Sequence, residues 1–385
     1  MKINRLFKKE ILDKNFSKMT LGLRSILLSL LFNAAEENDY LESLSVHSDA
    51  IGKHLGAVEP LDFIAQLNSY FTTLLKKLSK LGFLNNLTVA FDETYIPYYG
   101  KKTESVWIHG YTNKVKGATG SYKFMAASIV VRNQRFVISM LPMATIDNSV
   151  AFVDMFLARI KKYFHVSLVL VDRGFASKEL AYDMEQQNQK YIALCPRWKN
   201  VKRYLEEGIK GICEVCVIRD HRREKYAKMQ YVIEYDLLEY DWVFLTNTDL
   251  TGIDLVRAYK ARWGIETTFR VMDHADIKSK STNIVIRTFF FLISILLYNL
   301  WIEERENLDC TFAQFLDMIA LASKSKEQLL QEFEIAKAKV GELLLEKEIA
   351  DSFFVQFVST IRPEWSNQGA KAPFKTVSLV IEVVV

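Results

Sequence analysis

Only four cysteines occur in 385 residues, so a disulfide framework is excluded as the source of stability. Cys213 and Cys216 form one CxxC with His221 nearby, but "ICEVCVI" alternates like a strand and lacks the knuckle turn of a zinc site. Reduced thiols in the cytoplasm are the expectation. The chain has no Gly-x4-Gly-Lys-Ser/Thr loop and no Gly-x-Ser-x-Gly elbow, which removes P-loop nucleotide hydrolysis and α/β-hydrolase chemistry. It also lacks a low-complexity linker and an internal repeat. The longest uncharged run, residues 288–302, is short for a bilayer and suits a buried core helix, so no membrane is expected. One-signed charge is scarce as well: 50 Lys and Arg against 46 Asp and Glu leave +4. That balance alone does not call for nucleic acid.

Half of the residues are apolar, enough for a sizeable core, and the length suits one large domain with additions. Residues 1–85 read as helical, with a basic start (Lys2, Arg5, Lys8, Lys9) and apolar positions three and four apart in "FIAQLNSYFTTLLKKLSKLGF". From residue 87 the period becomes two. Strands are expected at 87–96, 105–112, 123–132 and 135–143. A helix follows at 148–163 behind Asp147 as N-cap, then a strand at 166–172, a helix at 177–189 and a strand at 190–196. This order describes an α/β mixed sheet flanked by helices. Residues 197–250 carry short antiparallel strands and read as a β-rich insertion. Helical periodicity returns at 253–272, continues at 284–303 and persists beyond it. The final "TVSLVIEVVV" is an apolar, β-branched edge that needs burial or a second subunit.

Two acids sit where a buried strand would place apolar residues. In "LTVAFDETYIPYYG", Asp92 shares a face with Ala90 and Thr94, and Glu93 points the other way. In "LVLVDRGF", Asp172 ends an apolar strand just where the chain turns outward at Arg173 and Gly174. Ligands of open α/β sheets bind beyond such carboxyl ends. In "AYKARWGIETTFRVMDHADIK", Tyr259, Arg262, Glu266, Arg270 and Asp273 are spaced 3, 4, 4 and 3, one stripe of a continuous helix. Such a helix can set Glu266 against Asp92 and Asp172. Three hard oxygen ligands suit Mg²⁺ or Mn²⁺, and two such ions can share them for in-line phosphoryl transfer.

The order Asp, Asp, Glu on two strands and a later helix resembles the RNase H-like domain of DDE transposases. "DRGF" resembles the sequence around their second aspartate. "YKARWGIETTF" is similar to the Tyr-x2-Arg-x3-Glu-x6-Lys pattern of one large insertion-sequence group, which also carries a β-rich insertion before its Glu. The pattern's lysine is absent: position 273 is Asp, with Arg270, Lys278 and Lys280 nearby. The resemblance implies catalysis and metal ligation by Asp92, Asp172 and Glu266, with two Mg²⁺ (or Mn²⁺) ions. It implies DNA-phosphate contacts for Tyr259 and Arg262, and the domain is expected to span residues 86–303. A helical C-terminal region at 304–385 is expected to serve dimerisation.

The activity implied is that of an enzyme that cuts at the ends of a mobile element and joins the freed 3′-hydroxyl to target DNA. Its partners would be double-stranded DNA (terminal inverted repeats and target) and a second copy of the chain, in a prokaryotic cytoplasm. Between residues 97 and 135, seven Lys and Arg face Glu104 alone. Lys101, Lys102, Lys114, Lys116 and Lys123 are therefore candidate DNA contacts, together with Arg173 and Arg270. A metal-dependent nuclease that cuts without joining, and a DNA-binding remnant without catalysis, are the alternatives.

Overall fold

The computed structural model describes residues 3–19, 21–38, 40, 48–80, 86–101, 105–110, 116–131, 134–220 and 223–323. The chain opens with short helical turns, α1 (Ile3–Phe7), a π-helical segment (Lys8–Leu12) and α2 (Asp13–Asn15), followed by α3 (Leu21–Glu37), α4 (Ser48–Gly56) and α5 (Pro60–Ser79). In α5, Pro60 occupies the first turn, where its missing N–H costs nothing. Phe63, Leu67, Tyr70, Phe71, Leu74, Leu75 and Leu78 form one buried stripe along it.

The centre is an eight-stranded sheet in the order β3-β2-β1-β4-β5-β8-β7-β6. The strands β1 (Asn86–Tyr98), β2 (Gly120–Val131) and β3 (Gln134–Met143) form an antiparallel meander. Helix α6 (Ser149–Lys161) crosses to β4 (His165–Val171), which lies parallel to β1, and α7 (Lys178–Gln186) crosses to the parallel β5 (Tyr191–Leu194). After α8 (Lys199–Glu206), the antiparallel strands β6 (Gly211–Asp220), β7 (Arg223–Leu237) and β8 (Tyr240–Thr246) follow, and β8 pairs back onto β5. The expected insertion therefore extends the central sheet. Helices α9 (Gly252–Lys260), α10 (Trp263–Met272), α11 (Ile284–Leu308) and α12 (Phe312–Ser323) complete the described chain.

Helices flank the sheet: α6 packs on β2 and β4, α7 on β6 and β7, α9 on β5 and β7, α10 on β1 and β3, and α5 and α11 on β3. Helix α11 is long and apolar enough to cross a membrane, yet 94% of its apolar stretch is buried inside the protein. It reaches beyond the uncharged run because Asn283 caps its start, accepting from Val285 N and Ile286 N. Phe289 on α11 meets the rings of Phe7 and Phe16 at 6.2 and 5.8 Å. The N-terminal helices thus share one core with the sheet.

Three expectations need correction. Residues 105–110 form turns with a single bridge, His109 to Ser121, and residues 111–112 lie outside the described residues. The N-cap of α6 is Asn148, whose side chain accepts from Val150 N, while Asp147 accepts from Ala144 N at 2.6 Å. The helix expected at 253–272 is two helices, broken at Ala261 and Arg262. The remaining helical segment and the apolar tail fall outside the described residues. Cys213 and Cys216 lie three apart on β6, hence on opposite faces, which rules out their sharing one metal.

The outer edge of β3 is closed by a side chain. Asn299 of α11 accepts from Val137 N at 3.0 Å and donates to Val137 O at 2.8 Å, acting as a short strand mimic. Replacing it with leucine strands two buried backbone groups. Asn299→Leu is expected to lose about 2–4 kcal/mol of unfolding free energy in urea titrations; an unchanged midpoint and slope would show that this clamp contributes nothing.

Between α6 and α7, Gln187 Nε2 donates to the half-buried Asp154 at 2.9 Å. Burial, then the neighbouring Asp183, pushes the Asp154 carboxyl up to about 6. A carboxyl raised in the fold contributes stability below its unfolded value and loses it as pH rises through about 6. Asp154→Asn should therefore gain about 1 kcal/mol at pH 7.5, discounted for partial solvent exposure, and nothing at pH 4. Urea unfolding at the two pH values measures the difference.

Candidate active site

The parallel register pairs Phe91 of β1 with Val171 of β4. The next residues on each chain are Asp92 and Asp172, so the sheet delivers two carboxylates side by side at the carboxyl end of β4. Asp92 is 8% exposed, and its Oδ1 accepts from Glu93 N at 2.9 Å. Asp172 precedes a 3₁₀ turn (Arg173–Phe175) without capping it through its side chain, which leaves its oxygens for other partners. Its side chain keeps 30% exposure.

Those partners come from the break between α9 and α10. Arg262, 2% exposed, points Nη1 at Asp92 Oδ2 (3.5 Å) and Nη2 at Asp172 Oδ1 (3.4 Å). Its Nε donates to Tyr259 Oη at 3.0 Å, and Tyr259 Oη donates onward to Asp172 Oδ1 at 3.3 Å. One guanidinium thus bridges both acids, with the phenol as a strut beneath it. Burial raises the Tyr259 pKa further above its already alkaline range, so the hydroxyl remains a donor. The two contacts from Arg262 to the carboxylates lie at the long end of hydrogen-bond distances, so their attraction is largely ionic.

Tyr259 is held by the extended sheet. Its ring packs on Phe244 at 5.3 Å and on Trp242 at 6.3 Å, and these two β8 rings stack on each other at 5.8 Å. The β-rich segment therefore forms a wall of the site. The alternation in "DWVFLTN" marks this strand and puts Trp242 and Phe244 on one face of it.

Glu93 faces away from Asp92, as strand parity requires. It pairs with Lys123 at 2.8 Å and accepts from Ser149 Oγ and from Tyr95 Oη. Lys123 is thereby engaged on the opposite side of β1 from the two aspartates. Arg173, Arg270, Lys101 and Lys116 are exposed. Lys102 and Lys114 lie outside the described residues. Glu266 lies one turn after Arg262 on α10, with its side chain outside the described residues. The structure thus brings together Asp92, Asp172, Tyr259 and Arg262.

Among the described residues, no three His, Cys, Asp or Glu side chains gather to hold a metal. The Asp92–Asp172 pair nevertheless fits a hard divalent cation. Its donors are carboxylate oxygens from two adjacent elements, they already converge on one positive group, and Asp172 is reachable from solvent. A pair so placed requires a counter-charge. In the chain alone Arg262 supplies it.

The transposase DDE domain family matches residues 85–300, more than half of the chain. No curated protein matches the sequence. Among solved structures, the chain is similar to a piggyBac transposase in a synaptic complex with hairpin DNA, at 13% identity and a TM-score of 0.57. That similarity covers 96% of this chain and 85% of the other. It assigns the sheet and its flanking helices to the RNase H-like architecture. With the family match spanning β1 to α11 and the two aspartates placed side by side within it, the chain belongs to the transposase DDE domain family and is a DDE-type DNA transposase.

Proposed function

We propose that this transposase serves an insertion sequence, cutting at the element's terminal inverted repeats and joining the freed 3′-hydroxyl to target DNA by phosphoryl transfer. The observation that carries the reading is the convergence of Asp92 and Asp172 on one buried guanidinium at the carboxyl end of β4. Asp92, Asp172 and Glu266 would hold two Mg²⁺ or Mn²⁺ ions. Bound there, such ions activate the attacking oxygen and stabilise the leaving oxygen of a phosphodiester.

The chain's own residues prepare that site. Arg262 offsets half of the charge of the two acids and keeps them side by side. Tyr259 orients Asp172 through its hydroxyl and presses the guanidinium from below. Exposed Arg173 and Gly174 start the turn beyond Asp172, where a phosphate backbone can approach closely. Lys101, Lys116 and Arg270, also exposed, supply long-range attraction for duplex DNA. In this reading the basic start of residues 1–85 contacts the element end, residues 304–385 serve dimerisation, and the enzyme works on DNA in a prokaryotic cytoplasm. The similar transposase complex with hairpin DNA supports a DNA substrate.

Asp92→Asn, Asp172→Asn and Glu266→Gln should each lower Mg²⁺-dependent cleavage of duplex DNA at least about 100-fold, with filter-binding affinity for the same duplex retained. Robust nicking by any of the three variants would end the assignment. Strand-transfer assays on pre-cut ends then separate the transposase from a nuclease that cuts without joining, since only the former yields integration products.

Removing the shared cation has a separate signature. Arg262→Met is expected to lose about 3 kcal/mol of stability, because two close carboxylates are left facing each other. Asp172→Asn in the same chain should recover part of that loss, giving a coupling of at least about 1 kcal/mol in the double-mutant cycle. Strict additivity in urea titrations would show that Arg262 and Asp172 do not interact.

A further inference from the structure

Arg262 sits at the junction of α9 and α10, where Ala261 and Arg262 keep helical backbone angles but the hydrogen-bond ladder is interrupted. An α-helix ends with carbonyls that lack an internal partner, and its C-terminus carries partial negative charge. At this break Ala261 N–H bonds back to Arg257 O at 3.2 Å and Arg262 N–H to Tyr259 O at 2.8 Å. The Ala261 carbonyl is captured from outside the helix pair. Nη2 of Arg135, at the start of β3 and 126 residues earlier in the chain, donates to it. Arg135 is 7% exposed.

The guanidinium gets there across Gly264. A Cβ at that position would lie 2.6 Å from Cζ and 2.7 Å from Nη2 of Arg135, inside van der Waals contact. Position 264 therefore keeps the first turn of α10 open for a side chain from β3. The other end of this turn is held from α11: Thr268 donates to Gly264 O at 2.7 Å and shares a hydrogen bond with Tyr298 Oη at 3.0 Å.

We infer that Arg135 is a positioning residue for strand cleavage: it fixes the α9–α10 junction through the Ala261 carbonyl and so sets where Arg262 enters the site. The inference rests on the reading of Asp92, Asp172 and Glu266 as the reacting centre. It assigns a role to the β2–β3 hairpin, whose sequence carries no acid or other recognisable catalytic group near Arg135. The contact that carries this role is the hydrogen bond from Arg135 Nη2 to the backbone carbonyl of Ala261.

Three variants test it in the full-length chain. Arg135→Met removes every donor, Arg135→Lys retains one, and Gly264→Ala displaces an unaltered Arg135. Arg135→Met and Gly264→Ala should each lower kcat for Mg²⁺-dependent duplex cleavage on the order of 100-fold with little change in KM. Arg135→Lys should recover part of the loss. The combination Arg135→Met with Gly264→Ala should be no worse than the poorer single variant, because both break the same contact.

Hydrogen exchange supplies the readout that does not depend on activity. Amides of residues 259–266 should exchange about 10-fold faster in Arg135→Met, with those of β1 and β4 unchanged. Uniformly faster exchange across the sheet, with kcat of the folded protein retained, would reduce Arg135 to a general stabiliser and overturn the inference. A parent chain that fails to cleave duplex DNA would overturn the proposed function instead, and the exchange pattern would still decide whether Arg135 holds the break.

Discussion

A guanidinium enclosed by two carboxylates organises this protein. Parallel pairing of β1 with β4 forces Asp92 and Asp172 into adjacency, and adjacency of like charges away from solvent demands a cation. Arg262 meets that demand from the junction of α9 and α10. The supports of this arrangement come from distant parts of the chain. Trp242 and Phe244 of β8 brace Tyr259, Arg135 of β3 holds Ala261, and Tyr298 of α11 steadies Thr268 on α10. The fold spends much of its irregular geometry on one charge.

The same economy of charge separates the two sides of β1. Asp92 and Glu93 are consecutive, yet one joins the arginine bridge and the other pairs with Lys123 and Ser149. Lys123 therefore belongs to the support of the strand, while Lys101, Lys116, Arg173 and Arg270 remain exposed. Counting basic residues along the sequence identifies a positively charged stretch. It does not distinguish a lysine already neutralised by a neighbouring strand from one open to a phosphate.

What could be read from the sequence followed this division between local and long-range causes. Period-two patterning placed β1 through β5 to within a few residues, and the two interrupting aspartates were visible because a carboxylate among β-branched and aromatic residues has a high burial cost. Residues 105–110 alternate as a strand would but pair only through His109, since β2 already turns its edges to β1 and β3. The break at Ala261 left no local mark: "YKARWGIETTF" contains no proline, and the glycine within it lies inside α10. A side chain from another strand, Arg135, meets the carbonyl of Ala261 there. Likewise the three strands after α8 read as an insertion, because nothing local indicates that β8 pairs with β5.

Helix α11 has an implication for the history of each molecule. Its apolar surface is covered by Phe7 and Phe16 from the N-terminal helices, by the ring of Phe124 from β2, and by the β3 edge. All of these leave the ribosome before residue 284. A nascent chain halted at that point carries a greasy trough, an open β3 margin and no plug for either. Each molecule must therefore wait for one late segment to seal it, and during that interval chaperone capture competes with aggregation.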